Sequence, residues 1–143
     1  MMMLRKLTLL AILLGAPQLS FAQGQYIDLF PKTGTDLQLI LDTLSHGVSE
    51  FPEDASPIVM MLHGPEAHRF LKNSFSDNRD VIDQTAQLVA YGILDVKICA
   101  TWMRMNGYTD ADLLPFVMTV PFGEAELERL TSEEGYAEYS VDL

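Results

Sequence analysis

Two rhythms of apolar residues alternate along this chain of 143 residues. Over 35–47, "TDLQLILDTLSHG", Leu37, Ile40, Leu41 and Leu44 recur at the spacing of one helix face, and Gly47 can stop the helix. Over 57–64, "PIVMMLHG", the apolar run is continuous and ends in glycine, the pattern of a strand buried on both faces. Pro65 then suits the first position of a short helix, "PEAHRFLK". The clearest helix is "DNRDVIDQTAQLVAYG" at 77–92. Asp77 or Asn78 can cap it, Val81, Ile82, Thr85, Leu88 and Val89 make one face, and Gly92 ends it. "ILDVKI" at 93–98 predicts a strand, followed by a short helix from about Ala100 to Asn106. Thr109 with Asp112 three residues on is a capping-box start. "FVMTV" predicts another strand, "PFGEAELERLTSEEG" a helix closed by Gly135, and "YIDLF" and "YAEYSV" short strands near the two ends.

Strand and helix thus alternate with short connections, and no repeat, linker or low-complexity stretch interrupts them. That alternation predicts one α/β domain, a three-layer α/β/α arrangement with a mostly parallel sheet of about five strands. Ahead of it, Arg5 and Lys6 precede the apolar run "LTLLAILLGA" and then "PQLSFA", with the small residues Ser20 and Ala22. This is the plan of a secretory signal, and the run is too short to span a bilayer. Residues 1–22 are therefore read as a cleaved signal peptide and 23–143 as the single exported, periplasmic domain.

The formal charge of −11 falls to −13 once Arg5 and Lys6 are set aside with the signal. Such a surface repels polyanions, so neither nucleic acid nor an anionic membrane is expected as a partner.

Composition matters most at cysteine, because Cys99 stands alone. Exported proteins usually pair their thiols, and a single one has no intramolecular partner. It is buried and inert, cross-linked between chains, or chemically used. Ligands and reactive groups collect beyond the carboxyl ends of parallel strands. His63 closes one predicted strand and Cys99 another, so the two line one pocket if those strands are neighbours. Ala100, Thr101 and Trp102 offer N–H groups at a helix start that stabilise a thiolate, and Lys97 adds positive potential on the same side.

Bland roles compete with each of these. A cysteine ending a buried strand is often a small core residue, a lone histidine is often a turn residue, and Trp102 suits packing. Glu66 and Asp110 lie near helix starts, where acids have a structural role. Met60, Met61, Met103 and Met105 add soft ligands to His63 and Cys99, a set suited to cuprous ion, but their spacing spreads them over different faces. No nucleotide loop, serine elbow or zinc motif occurs, and the sequence calls for no cofactor and no metal.

The order "PIVMMLHGPE", then "VIDQTAQLVAYGILDVKICATWM", then "DLLPFVMTVPFGEAELERLTSEEGYAEY" resembles the DsrE/DsrF-like proteins, including exported members, over about Ser56 to Tyr139. The telling parts are a histidine–glycine after the central strand and a cysteine after the next. The resemblance implies a parallel sheet between two helix layers and, from the sulfur-relay members, sulfur carried as a persulfide on Cys99, with His63 matching the family's histidine. It also implies a sulfur donor or acceptor protein or small thiol as partner, and a homo-oligomer, trimer or hexamer. Two other readings stand beside the sulfur carrier: a non-catalytic binding module for a small ligand or soft metal, and a structural protein in which Cys99 is only packed.

Overall fold

The computed structural model describes residues 24–30 and 34–139; the signal-peptide reading of 1–22 lies outside them. Five strands form one all-parallel sheet: β1 (Gln25–Asp28), β2 (Ile58–Leu62), β3 (Leu94–Cys99), β4 (Val117–Val120) and β5 (Ala137–Glu138). Their spatial order is β4-β3-β2-β1-β5. Four α-helices connect them: α1 (Gly34–His46), α2 (Arg79–Ala90), α3 (Ala100–Met105) and α4 (Gly123–Glu133). The predicted three-layer α/β/α class is the observed one.

The layers follow from handedness. The chain steps β1, β2, β3, β4 in one direction across the sheet, so right-handed crossovers put α1, α2 and α3 on one face. From β4 it must return past every strand to β5, and the same handedness puts α4 on the other face. The apolar residues divide accordingly. Leu37, Ile40, Leu41 and Leu44 of α1, Val81, Ile82 and Leu88 of α2, and Met103 of α3 pack with Ile58, Met60, Leu62, Leu94, Val96 and Ile98 in the main core. Each fully buried Leu or Ile there stabilises the fold by about 1.5–3 kcal/mol. The buried apolar residues outside that core are Val59, Met61, Cys99, Val120 and Leu130, a small second set beneath α4.

Several local expectations need correction. Asn78 holds the N-cap position of α2 but makes no side-chain cap bond; its Nδ2 donates to Ser74 O at 3.0 Å across the preceding 3-10 turn. The short helix expected in "PEAHRFLK" is present as a 3-10 helix, Pro65–Phe70, with Pro65 at its start, and a second 3-10 helix, Lys72–Asp77, follows it. Of "YAEYSV", Ala137–Glu138 form the last strand, and Ser140 and Val141 lie outside the described residues. The Thr109–Asp112 capping box is present with both of its bonds. At the end of α2, Ile93 N–H donates to Leu88 O and Gly92 N–H to Val89 O, each at 2.9 Å, a Schellman closure with Gly92 at φ +72°.

That conformation sets a prediction. Nothing would touch a Cβ on Gly92, so the cost of Gly92→Ala is backbone strain alone, about 1–2 kcal/mol. Gly92→Asn should lose less, since asparagine tolerates the left-handed region. Urea unfolding of both variants measures the order.

Candidate functional site

Parallel strands leave all their carboxyl ends on one rim. The connection from β3 departs to α3 on one face, and that from adjacent β4 departs to α4 on the other. The crevice that such a divergence opens is the usual place for ligands in open α/β sheets. Cys99 stands at it, paired in register with Val120. A hydrogen bond from Thr101 Oγ1 to Pro121 O, 3.1 Å, ties the two departing chains together above it.

His63 is Cys99's neighbour. The β2–β3 register pairs Met61 with Lys97 and Leu62 with Ile98, so the next residues in line are His63 and Cys99. They share a face. A Cβ on Gly123 would lie 3.1 Å from His63 Cβ and 3.3 Å from Met61 Sδ, which places both side chains toward α4. Lys97 bonds Glu126 of α4 at 2.8 Å, and extended Cys99, two residues on, repeats its direction. The structure thus brings together the two residues singled out from sequence. It also buries one of them: Cys99 is 3% exposed and belongs to the small second core. Among the described residues no hydrogen bond joins His63 to Cys99.

The imidazole is instead fixed from β1. His63 Nε2 lies 2.6 Å from Asp28 Oδ1, with side chains 10% and 29% exposed respectively. The same Oδ1 accepts the Phe30 N–H at 2.9 Å, which orients the carboxylate. Glu66 Oε1 accepts the N–H groups of His63 at 3.2 Å and Gly64 at 2.9 Å, so the acid at this turn has the structural role expected of it. Phe30 packs against the ring at 5.5 Å between centroids. The Asp28 hydrogen bond raises the His63 pKa above the ordinary histidine value; burial opposes this, and the charges of Asp28, Glu66 and Glu124 add to the rise. Nδ1 has no hydrogen-bond partner among the described residues.

The expected positive potential from Lys97 needs correction. Its Nζ bonds Glu126 Oε1 at 2.8 Å and lies 3.8 Å from Asp95 Oδ2, so its charge is matched beneath α4. Glu126 is also gripped by Arg129, the chief cause of a pKa lowered to about 2. The soft ligands do not converge: Met60 and Met103 lie in the main core, Met61 faces α4 and Met105 is 81% exposed. Trp102 packs against the main core and stacks on Tyr108, with His68 edge-on to both. A groove of about 400 Å³ lined by Gly24, Gly47, Glu50, Phe51 and Ile58 lies at the amino ends of the strands, far from this chemistry.

Sequence reading missed Asp28, Gly123 and Glu126. Asp28 gave no signal: it is the middle residue of the predicted strand "YIDLF", and only the observed β1 ends at it.

No protein-family model and no curated protein matches the chain. Among solved structures, a protein of unknown function, MTH1491 from Methanobacterium thermoautotrophicum, superposes with a TM-score of 0.61 at 18% identity, over 81% of this chain and 95% of that one. At that identity the likeness is one of fold.

The Asp28–His63 pair gives stability a definite pH dependence. A histidine whose pKa is higher folded than unfolded contributes fully below its unfolded value of about 6.5, and the contribution is lost as pH rises through the folded value. Asp28→Asn should therefore cost most near pH 6, about 1.5 kcal/mol for a charged hydrogen bond this exposed. The gap from the native chain should narrow toward pH 9, which urea titrations at both pH values measure.

Proposed function

We propose that this protein is a sulfur carrier of the DsrE/DsrF-like kind, holding sulfane sulfur as a persulfide on Cys99 and exchanging it with a donor or acceptor thiol outside the cytoplasm. The observation that supports this reading best is the placement of Cys99 at the divergence of β3 and β4, level with His63 on the neighbouring strand. The exported setting rests on the residues before Gln23, and assembly into a trimer or hexamer on the resemblance of the sequence.

The chemistry asks little of the protein. The Cys99 thiol loses a proton and its Sγ attacks the terminal sulfur of a donor persulfide, R–S–SH. The donor's S–S bond breaks as a new one forms to Cys99, and the released thiolate takes up a proton. Sulfur moves with no net oxidation or reduction, and the reverse sequence unloads it. Access is the demanding step for a thiol this buried. It requires the α3 and α4 connections to part, and the Thr101–Pro121 hydrogen bond is the tie that must give.

Native protein given a persulfide donor should gain one sulfur atom, readable by intact mass and removed by cyanide or a reductant. Cys99→Ser, a nearly isosteric change, should abolish the gain while leaving the circular dichroism spectrum unchanged. A thiol that reacts only after denaturation would make Cys99 a packing residue of the second core and end the carrier reading.

A further inference from the structure

Three adjacent strands present Asp28, His63 and Cys99 in a row at their carboxyl ends, all toward α4. The carrier chemistry as written leaves one proton unassigned, the one taken up by the departing thiolate. We propose that Asp28 is a positioning residue for that transfer: it fixes the imidazole through Nε2, and His63 delivers the proton from Nδ1 to the thiolate released when sulfur passes to or from Cys99. This rests on the carrier reading and adds to it a direction for His63, an acid toward the leaving group rather than a base toward Cys99.

Geometry carries the assignment. His63 spends Nε2 on a carboxylate, 2.6 Å away, that a backbone N–H also holds in place, and no hydrogen bond joins the ring to Cys99 among the described residues. Gly123 lies against the Cβ of His63, a side chain 10% exposed, and Phe30 packs beside the ring. Nδ1 is then the ring nitrogen left to serve a group entering between His63 and Cys99. Among the described residues, the charged groups that act on the imidazole are acids: Asp28 on β1, Glu66 in the turn after β2, and Glu124 on α4. All three favour the imidazolium, the form that can give a proton. In the loading step the imidazolium N–H bond breaks as the R–S–H bond forms. The Cys99 proton lost to water restores the balance, and the imidazole is reprotonated from solvent.

The experiment compares two reagents on the native chain and on Asp28→Asn. Glutathione persulfide releases a basic alkyl thiolate that needs a proton. Neutral 2,2′-dipyridyl disulfide releases a pyridine-2-thiolate whose charge is delocalised onto the ring nitrogen; it departs without a proton from the protein and takes one from water afterwards. Asp28→Asn should slow sulfur transfer from glutathione persulfide at least about tenfold, part of the about 10²–10⁴-fold that a positioned general acid contributes, and move the falling limb of its pH profile to lower pH. Reaction with the dipyridyl reagent should stay within about twofold, and Asp28→Glu should restore part of the lost rate. Equal slowing with both reagents, or no slowing with either, overturns the dyad and leaves the carrier reading in place. A native chain that reacts with the dipyridyl reagent but takes no sulfur overturns the carrier reading and the dyad with it. Should Asp28→Asn fail to fold, imidazole titration of the native chain by NMR decides: His63 titrating at or below the ordinary histidine value overturns the proposal.

Discussion

Parallel pairing of β2 with β3 is the constraint on which the site depends. Its register sets Leu62 beside Ile98, and one further residue along each strand sets His63 beside Cys99. Because side chains alternate, the same register sends Met60 and Val96 into the main core, and Met61 and Lys97 toward α4. A slip of one residue would exchange those faces and drive Lys97 into the apolar layer. The large core therefore fixes the small site: every Leu, Ile and Met buried beneath α1 and α2 stabilises the one alignment in which histidine and cysteine meet.

The two faces of the sheet are held by different forces. Beneath α1, α2 and α3 the contact is apolar and continuous. Beneath α4 it combines a few buried apolar side chains with a chain of charges running Asp95, Lys97, Glu126, Arg129 and Glu134. Such pairs contribute less than apolar area and weaken as salt screens them.

Much of this fold was legible in the sequence where local patterns are long. The apolar run ending in Leu62 and the stripe from Val81 to Leu88 identify their elements by period, and Gly92 closes α2 as its position suggested. The capping box at Thr109 is local chemistry and read correctly. The failures are tertiary. Asn78 had the right type for a cap, but its side chain makes no cap bond and its amide donates to Ser74 O. Lys97 was placed on the right face, but the glutamate that matches it lies 29 residues further on. Asp28 closes a strand of four residues, too short for any period to mark, and its partner is 35 residues away. Cys99 and His63 drew notice because each stands at the end of a long, readable strand.

The meeting of His63 and Cys99 is the claim from which the rest follows, and His63→Cys tests it without reference to sulfur transfer. Neighbouring parallel strands lie about 4.8 Å apart, within the Cα separation of about 4.4–6.8 Å that a disulfide spans. Mild oxidation of the folded variant should therefore close an intramolecular disulfide between the two positions, seen as a monomer that has lost both free thiols. Two thiols that stay free in the folded protein, or that cross-link only between chains, would contradict the register and the face on which this account depends.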